Sequence, residues 1–366
     1  MRKIIYILSI FNVYFFSFSQ QNELEYKNKN TISNQVEKKE VEPVQDETTE
    51  FFDNNRLNQA FESAKSEFSL QYKLLQTQTS KKSFDQKERE VLDKQLAVMA
   101  LTGKSTFEYN FYSYLAGNYD TDKFDYLEKA AFLSPGNSEV WEEMLGYYYI
   151  MNNELKAQTY LKLLKQKEVY DRSLIDYAKD VLKSVENGVL LTHGERDTYP
   201  LLIANEELGL DVEIINIDFL TSDTYRQSLR EKDYVLPEGQ FINTVYVNMF
   251  LNLNSDKKIH VAMTLPKDYL SSLNEKLATK GLTYRFNEEV SYKVNQKIWN
   301  SLDKVILKKE SRLAQSLSAN YIPLLKFLYE AEKNEELKKN YKEQVKVILK
   351  GINREDQLNT LLDSEK

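Results

Sequence analysis

The sequence contains no cysteine, two histidines, ten glycines and six prolines in 366 residues. Without cysteine there is no thiol nucleophile, no disulfide, no thiolate-held zinc or iron–sulfur cluster, and no lipid anchor built on a cysteine. Two histidines cannot make a histidine-rich metal site. Glycine and proline fall far below their usual shares of about 7% and 5%. All-β sandwiches need many such turns, so a mainly helical chain is expected. Positive charge is in deficit: 49 Lys and Arg face 56 Asp and Glu, a formal net charge of −7. That balance gives no general pull toward nucleic acid or anionic lipid. At about 150 residues per domain, the length allows two or three domains.

The chain opens with a basic Met1-Arg2-Lys3, followed by an apolar run over 4–18. That run is short of the roughly 20 residues a spanning helix needs. Ser17 and Ser19 supply small residues just before Gln20. The pattern is that of a secretory signal peptide over 1–19, cleaved near Ser19-Gln20. No later apolar run is long enough to span a membrane. The mature chain is therefore expected to lack a transmembrane segment and to be periplasmic or secreted. Residues 20–50 are almost wholly polar or charged and bury too little to offset backbone ordering. They are expected to be a disordered linker.

From 51 to about 186 the apolar residues follow a helical period, as in Leu57, Phe61, Ala64, Phe68, Tyr72 and Leu75. Laying 107–140 over 141–174 reveals an offset of 34 residues. Phe107 then falls on Trp141, Phe111 on Leu145, Tyr114 on Tyr148, Leu127 on Leu161 and Ala130 on Leu164. Pro135 falls near the end of the first unit, and Ala157 takes a small-residue position in the second. These two units resemble the tetratricopeptide repeat, paired antiparallel helices that stack and grip protein partners. Lys123 at the small position of the first unit, and Gly146 one place late, depart from the pattern. Residues 171–185 would be a further helix capping the stack. Trp141, Tyr147, Tyr148 and Tyr149 are either packing or a partner-binding aromatic groove.

The period then changes. Val189–Thr192, 212–217, 259–265 and 282–286 are short apolar runs that read as strands. Helices are expected over 198–208, from 221–223, and over 267–279, with Gly209 and Gly281 ending two of them. Asp197 or Thr198 would cap the first, with Pro200 in its first turn. Strand–helix–strand order predicts a parallel sheet, with ligands beyond the carboxyl ends of its strands. His193, Gly194, Glu195, Arg196, Asp197 and Thr198 after the first strand, with Asp218 after the second, form the candidate ligand site. A helix N-terminus aimed at them would suit an anion. No G-x-G-x-x-G or Walker loop is present. No catalytic residue, metal ligand or cofactor is assigned.

Gly188–Leu220 also resembles a soluble segment of bacterial multi-spanning membrane proteins that are themselves similar to protein O-mannosyltransferases. Gly194, Asp197, Thr198, Pro200 and Leu201 match that pattern; His193, Glu195 and Arg196 depart from it. The run from Tyr269-Leu270 to Arg285 extends the likeness to about residue 287. It implies a shared extracytoplasmic module, not transferase activity, because the membrane part is missing.

The expected fold class is therefore mainly α with an α/β part. Tetratricopeptide-like hairpins over 51–186 precede a small parallel-sheet, three-layer α/β domain over 187–290 and C-terminal helices over 291–366. The expected function is an exported, non-enzymatic adaptor that holds a protein partner, as an accessory factor of an envelope glycosylation or secretion system. The alternative is an α/β domain that binds an anion or sugar phosphate at 193–198, with or without chemistry.

Overall fold

The structure is a computed structural model and describes residues 47–185 and 188–362. The expected signal peptide and most of the expected linker lie outside the described residues. The chain is mainly helical with one small sheet, as its composition requires. It divides into two compact units. One holds Phe84–Val140 and the described residues up to Gln78; the other holds Thr79–Ser83 and everything from Trp141 onward.

The first unit is built from α1 (Glu47–Gln76), α2 (Gln86–Met99), α3 (Phe107–Leu115) and α4 (Phe124–Leu133). Helix α2 starts with a capping box, Asp85 accepting the Glu88 N–H while Glu88 reaches back to the Asp85 N–H. Phe68 of α1 is fully buried and stacks on Tyr112 of α3 at 4.5 Å. Helices α3 and α4 form an antiparallel hairpin whose inner face carries Phe111, Tyr114, Leu127 and Ala130, all buried. These are four of the positions that the 34-residue offset singles out.

The second unit continues with α5 (Ser138–Ile150), α6 (Glu154–Gln166) and α7 (Arg172–Val185). Then follow β1 (Val189–Thr192), α8 (Gly194–Leu208), β2 (Glu213–Asn216), α9 (Asp223–Glu231) and α10 (Thr244–Leu253). After them come β3 (Ile259–Ala262), α11 (Lys267–Leu273), β4 (Leu277–Lys280) and β5 (Thr283–Phe286). The chain closes through α12 (Tyr292–Ser301), α13 (Arg312–Ser318), α14 (Ile322–Ala331), α15 (Glu335–Gly351) and α16 (Leu358–Leu362).

The strand order is β2-β1-β3-β5-β4. The β1–β2 and β1–β3 pairs are parallel, as expected, but β5 runs antiparallel to both β3 and β4. The sheet is thus mixed, correcting the all-parallel expectation. The cause is local. Gly281 at φ +58° turns a two-residue hairpin between β4 and β5. Read as a sequence, the same glycine looks like the end of a helix over 267–279, because both turns need a left-handed residue. A Cβ there would also stand 2.3 Å from Ser184 Oγ. Strands β1, β3 and β5 are buried along their whole length, so both faces of the sheet are covered. His260 sits inside β3, its Nδ1 2.8 Å from Thr283 Oγ1, and burial beside Arg285 and Lys280 pushes its pKa down to about 2.

Helix α7 belongs to this core. It packs on α8, β5, α12 and α13, and carries Ile175, Tyr177, Ala178, Val181 and Leu182 as buried residues. The division between units falls at Val140, not after α7. Asp180 of α7 is fully buried and accepts the Asp303 N–H (2.7 Å), the Lys304 N–H (2.9 Å) and the Tyr321 hydroxyl (2.7 Å). Asp180→Ala would leave three donors unmatched, two of them backbone. At about 1–3 kcal/mol for each unsatisfied group, a loss of at least 3 kcal/mol is expected in urea denaturation. A loss below about 1 kcal/mol would mean that those donors find other partners.

Candidate functional site

Strand β1 lies between β2 and β3, so the chain leaves it to one side for β2 and returns to the other for β3. The crevice where the order reverses, at the carboxyl ends of β1 and β3, is where such sheets bind ligands. Here it brings His193 against Thr264, the imidazole Nε2 lying 2.6 Å from the Thr264 carbonyl oxygen. A carbonyl can only accept, so Nε2 carries the hydrogen. Thr264 Oγ1 in turn donates to Asp197 Oδ1 at 2.7 Å.

Helix α8 starts at Gly194, with His193 as its N-cap residue, four residues earlier than expected. Residues 194–198 are therefore its first turn and not a loop. Pro200 lies inside the helix, not in its opening turn. The paired Asp-Thr-Tyr runs at 197–199 and 223–225 do not share capping chemistry, because the cap positions fall on His193 and Ser222. What they share is a buried tyrosine: Tyr199 and Tyr225 are both in the core.

Two of the four N–H groups at this helix start already have partners. Gly194 N–H donates to Asp218 Oδ2 at 3.0 Å, and Asp197 Oδ2 accepts from His193 N–H at 3.4 Å. Two carboxylates thus offset part of the positive end of α8 from within the protein. Lys82, from the short Thr79–Ser83 segment, brings its ammonium 2.9 Å from Asp218 Oδ1, with both side chains nearly buried. Thr198 is fully buried, its hydroxyl 2.8 Å from that of Thr192, while Arg196 points to solvent.

Burial and the Lys82 charge lower the His193 pKa against the opposing pull of Asp197 and Asp218, favouring neutral imidazole. Burial raises that of Asp197, outweighing His193 and its hydrogen bonds. Glu195 is raised furthest, by burial and then by Glu143 and Glu142 of α5. Burial disfavours the charged carboxylate, and the neighbouring acids oppose its ionisation further. The same corner holds Tyr199, whose hydroxyl donates to the Glu142 carbonyl oxygen at 3.0 Å. A Cβ on Gly146 would stand 2.8 Å from that hydroxyl, so glycine lets α5 approach α8 here.

The aromatic run of α5 turns the other way. Tyr148 is buried against Tyr160 of α6, ring centroids 5.8 Å apart, with the Lys156 ammonium 4.8 Å from its ring. Tyr149 donates its hydroxyl to the Ile214 carbonyl oxygen at 2.6 Å, on the outer edge of β2. Tyr147 is half-buried with its ring edge-on to Tyr148, and Trp141 is half-buried too. Tyr148, Tyr149 and Tyr225 line a cleft of about 900 Å³ between α6 and the edge strand β2. Its rim carries the exposed acids Glu154, Glu206 and Asp211. Lys232 in its wall is paired with Glu213 at 3.1 Å.

Sequence reasoning places His193, Asp197 and Asp218 together, and the structure adds Thr264 between the first two. It missed Lys82, Glu142 and Glu143. Lys82 lies over a hundred residues from its partner in a polar stretch without motif or period. Glu142 and Glu143 carry no motif that marks them apart from other acids of the helix. Among the described residues no group of three His, Asp or Glu converges to hold a metal ion, and no helix is long and apolar enough to cross a membrane.

Residues 174–349 match the family model described as TMEM260-associated domain 2. The match runs from the first turn of α7 to the end of α15 and so takes in the whole sheet and the crevice. No curated protein and no solved structure matches the chain.

The raised Glu195 pKa gives a pH signature. Above the unfolded value of ~4.3 the folded chain holds a proton that the unfolded chain releases. This contribution is intact below that value and is lost as pH rises toward the folded pKa, at up to about 1.4 kcal/mol per pH unit. Glu195→Gln keeps a hydrogen-bonding side chain and removes the titration. Relative to wild type, the variant should therefore be more stable at pH 8 than at pH 5 in urea denaturation. Parallel pH profiles would mean that Glu195 titrates alike in the folded and unfolded chain.

Proposed function

We propose that the chain is an exported, non-enzymatic adaptor that holds a protein partner. The observation that carries this reading is a contrast between two recesses. The strand-end crevice is filled by the chain's own Lys82, His193, Asp197 and Asp218, bonded to one another and to Thr264. The cleft between α6 and β2 is open, roomy and lined by tyrosines with an acidic rim. Its chemistry suits an extended, basic protein segment. Tyrosine rings offer broad contact at low entropic cost, and the acids select Lys or Arg. β2 is the last strand of the sheet, and Tyr149 already treats its outer edge as a hydrogen-bonding surface.

Two further observations support a place in the cell envelope. Residues 1–19 have the pattern of an export signal. Residues 188–287 resemble a soluble region of O-mannosyltransferase-like membrane proteins, and the surrounding 174–349 match TMEM260-associated domain 2. An accessory factor of an envelope glycosylation or secretion machinery accommodates both. The tetratricopeptide-like hairpins belong to the same reading, with α5 and α6 as one wall of the cleft.

Selection of random displayed peptides against the chain should enrich Lys- and Arg-bearing segments. Their affinity should fall tenfold or more on Glu154→Lys or Asp211→Lys, both at exposed rim positions, and stay unchanged on Glu336→Lys in α15. Peptides without basic enrichment, or binding indifferent to the rim variants, would sink the reading. The exported protein should begin at Gln20 on N-terminal sequencing.

A further inference from the structure

The adaptor reading leaves the chemistry around Asp218 unused. The crevice is rich in carboxylates: Asp218 and Asp197 bond within it, and Asp268 accepts from Thr79 Oγ1 at 2.6 Å. Against them stands the ammonium of Lys82. Buried Arg226 is occupied elsewhere, by the Leu220 carbonyl oxygen and Asp223. The imidazole of His193 is donated to Thr264. The recess therefore favours a cation over an anion.

Lys82 reaches the crevice from outside the α/β chain segment. The Thr79–Ser83 strap lies against Ile242 and Asn243, its Lys82 N–H donating to the Ile242 carbonyl oxygen at 2.7 Å. Ser83 Oγ accepts the Ile242 N–H at 2.8 Å. These few bonds fix the strap, and Lys82 crosses it into the recess.

Three polar groups at this end of the sheet, following β2 and β3 in the chain, have no hydrogen-bond partner among the described residues: Asn216 Nδ2, Ser222 Oγ and the Tyr269 hydroxyl. All three residues are more than nine-tenths buried. Asn216 is locked beside Asp218, whose N–H donates to its Oδ1 at 2.8 Å. Tyr269 stands in the first turn of α11, just after the carboxyl end of β3. Buried polar groups are nearly always paired, and an orphan is destabilising. Lys82 neutralises Asp218 and leaves these groups unmet, so it fills the recess incompletely.

The geometry points to a binding site for a protonated primary amine carrying adjacent hydrogen-bonding groups, at the carboxyl ends of β1, β2 and β3, which Lys82 occupies in cis. The incoming ammonium takes the place of the Lys82 ammonium on Asp218. Its neighbouring polar groups meet Asn216, Ser222 and Tyr269. The strap is then a built-in competitor: it keeps the site closed until a better-matched amine displaces it. The amine can belong to a small molecule or to a lysine of a polypeptide. This site is separate from the cleft beside β2 and does not depend on the adaptor reading.

The test uses the full chain with Lys82→Met, which keeps the length and removes the charge. Probes are n-butylammonium, N-acetyl-lysine amide as a peptide lysine, and tetramethylammonium as a cation without N–H donors, all at fixed ionic strength. Calorimetry should find at least tenfold tighter binding of a primary amine to Lys82→Met than to wild type, and none of tetramethylammonium. Adding Asp218→Asn should abolish it. Tighter binding of the lysine amide assigns the site to polypeptide, and the reverse assigns it to a small amine. In wild type, saturating amine should speed hydrogen exchange of the Lys82 amide as the strap is released. A folded Lys82→Met variant that ignores primary amines, or takes tetramethylammonium equally well, overturns the proposal. Should that variant fail to fold, wild-type Lys82 exchange unchanged by any probe overturns it alone.

Discussion

The buried carboxylate of Asp180 sets the architecture of the α/β unit. A charge with no solvent contact is tolerated only when its lone pairs are met. Here they are met by two consecutive backbone N–H groups at Asp303 and Lys304 and by the Tyr321 hydroxyl. One turn further along α7, Ser184 Oγ donates to the Asp180 carbonyl oxygen and accepts the Leu282 N–H from the β4–β5 hairpin. A single helix face thereby fixes the hairpin that ends the sheet and the turn that leads into the C-terminal helices. This explains why α7 behaves as the first element of the module and not as the last helix of a repeat. The match to TMEM260-associated domain 2 likewise opens inside α7, at residue 174, and closes at 349 in α15.

The crevice obeys the same logic with the opposite outcome. Its carboxylates do not anchor distant chain so much as neutralise local dipoles. Asp218 meets the first N–H of α8, Asp197 meets the His193 N–H, and Thr264 closes the ring. An anion approaching this helix end would have to displace covalently tethered carboxylates and face their charge. The expectation of a phosphate site at 193–198 rests on the helix N-terminus alone and omits what already fills it. Moving the helix start from 198 to 194 changes the chemistry, because Asp197 becomes a first-turn side chain reaching back and not an N-cap facing outward.

Much of this was legible. The 3.6-residue period identified the helices, and the 34-residue offset picked out Phe111, Tyr114, Leu127, Ala130, Leu145 and Leu164, all buried. The apolar runs at Val189–Thr192 and Ile259–Ala262 were read as strands because a strand buried on both faces has no alternation to disguise it. What failed was local chemistry with two solutions. Gly281 serves a helix exit and a hairpin turn equally well, so β4, half-exposed at the sheet edge, was absorbed into a helix. Lys82 could not have been found, since nothing in Lys81-Lys82-Ser83 marks a residue whose partner is Asp218. Long-range ion pairs leave no periodic trace.

Helix α5 links these threads, because it lines the cleft and also meets α8. Its Glu142 and Glu143 help to raise the pKa of Glu195 in the first turn of α8. Six residues on, Tyr148 and Tyr149 face α6 and the edge of β2. At 1.5 Å per residue the two sets lie about 9 Å apart along one rigid helix. The Tyr199 hydroxyl grips the Glu142 carbonyl oxygen, and Gly146 holds the helices at close range. One rigid helix thus carries both a wall of the cleft and the acids that raise the Glu195 pKa.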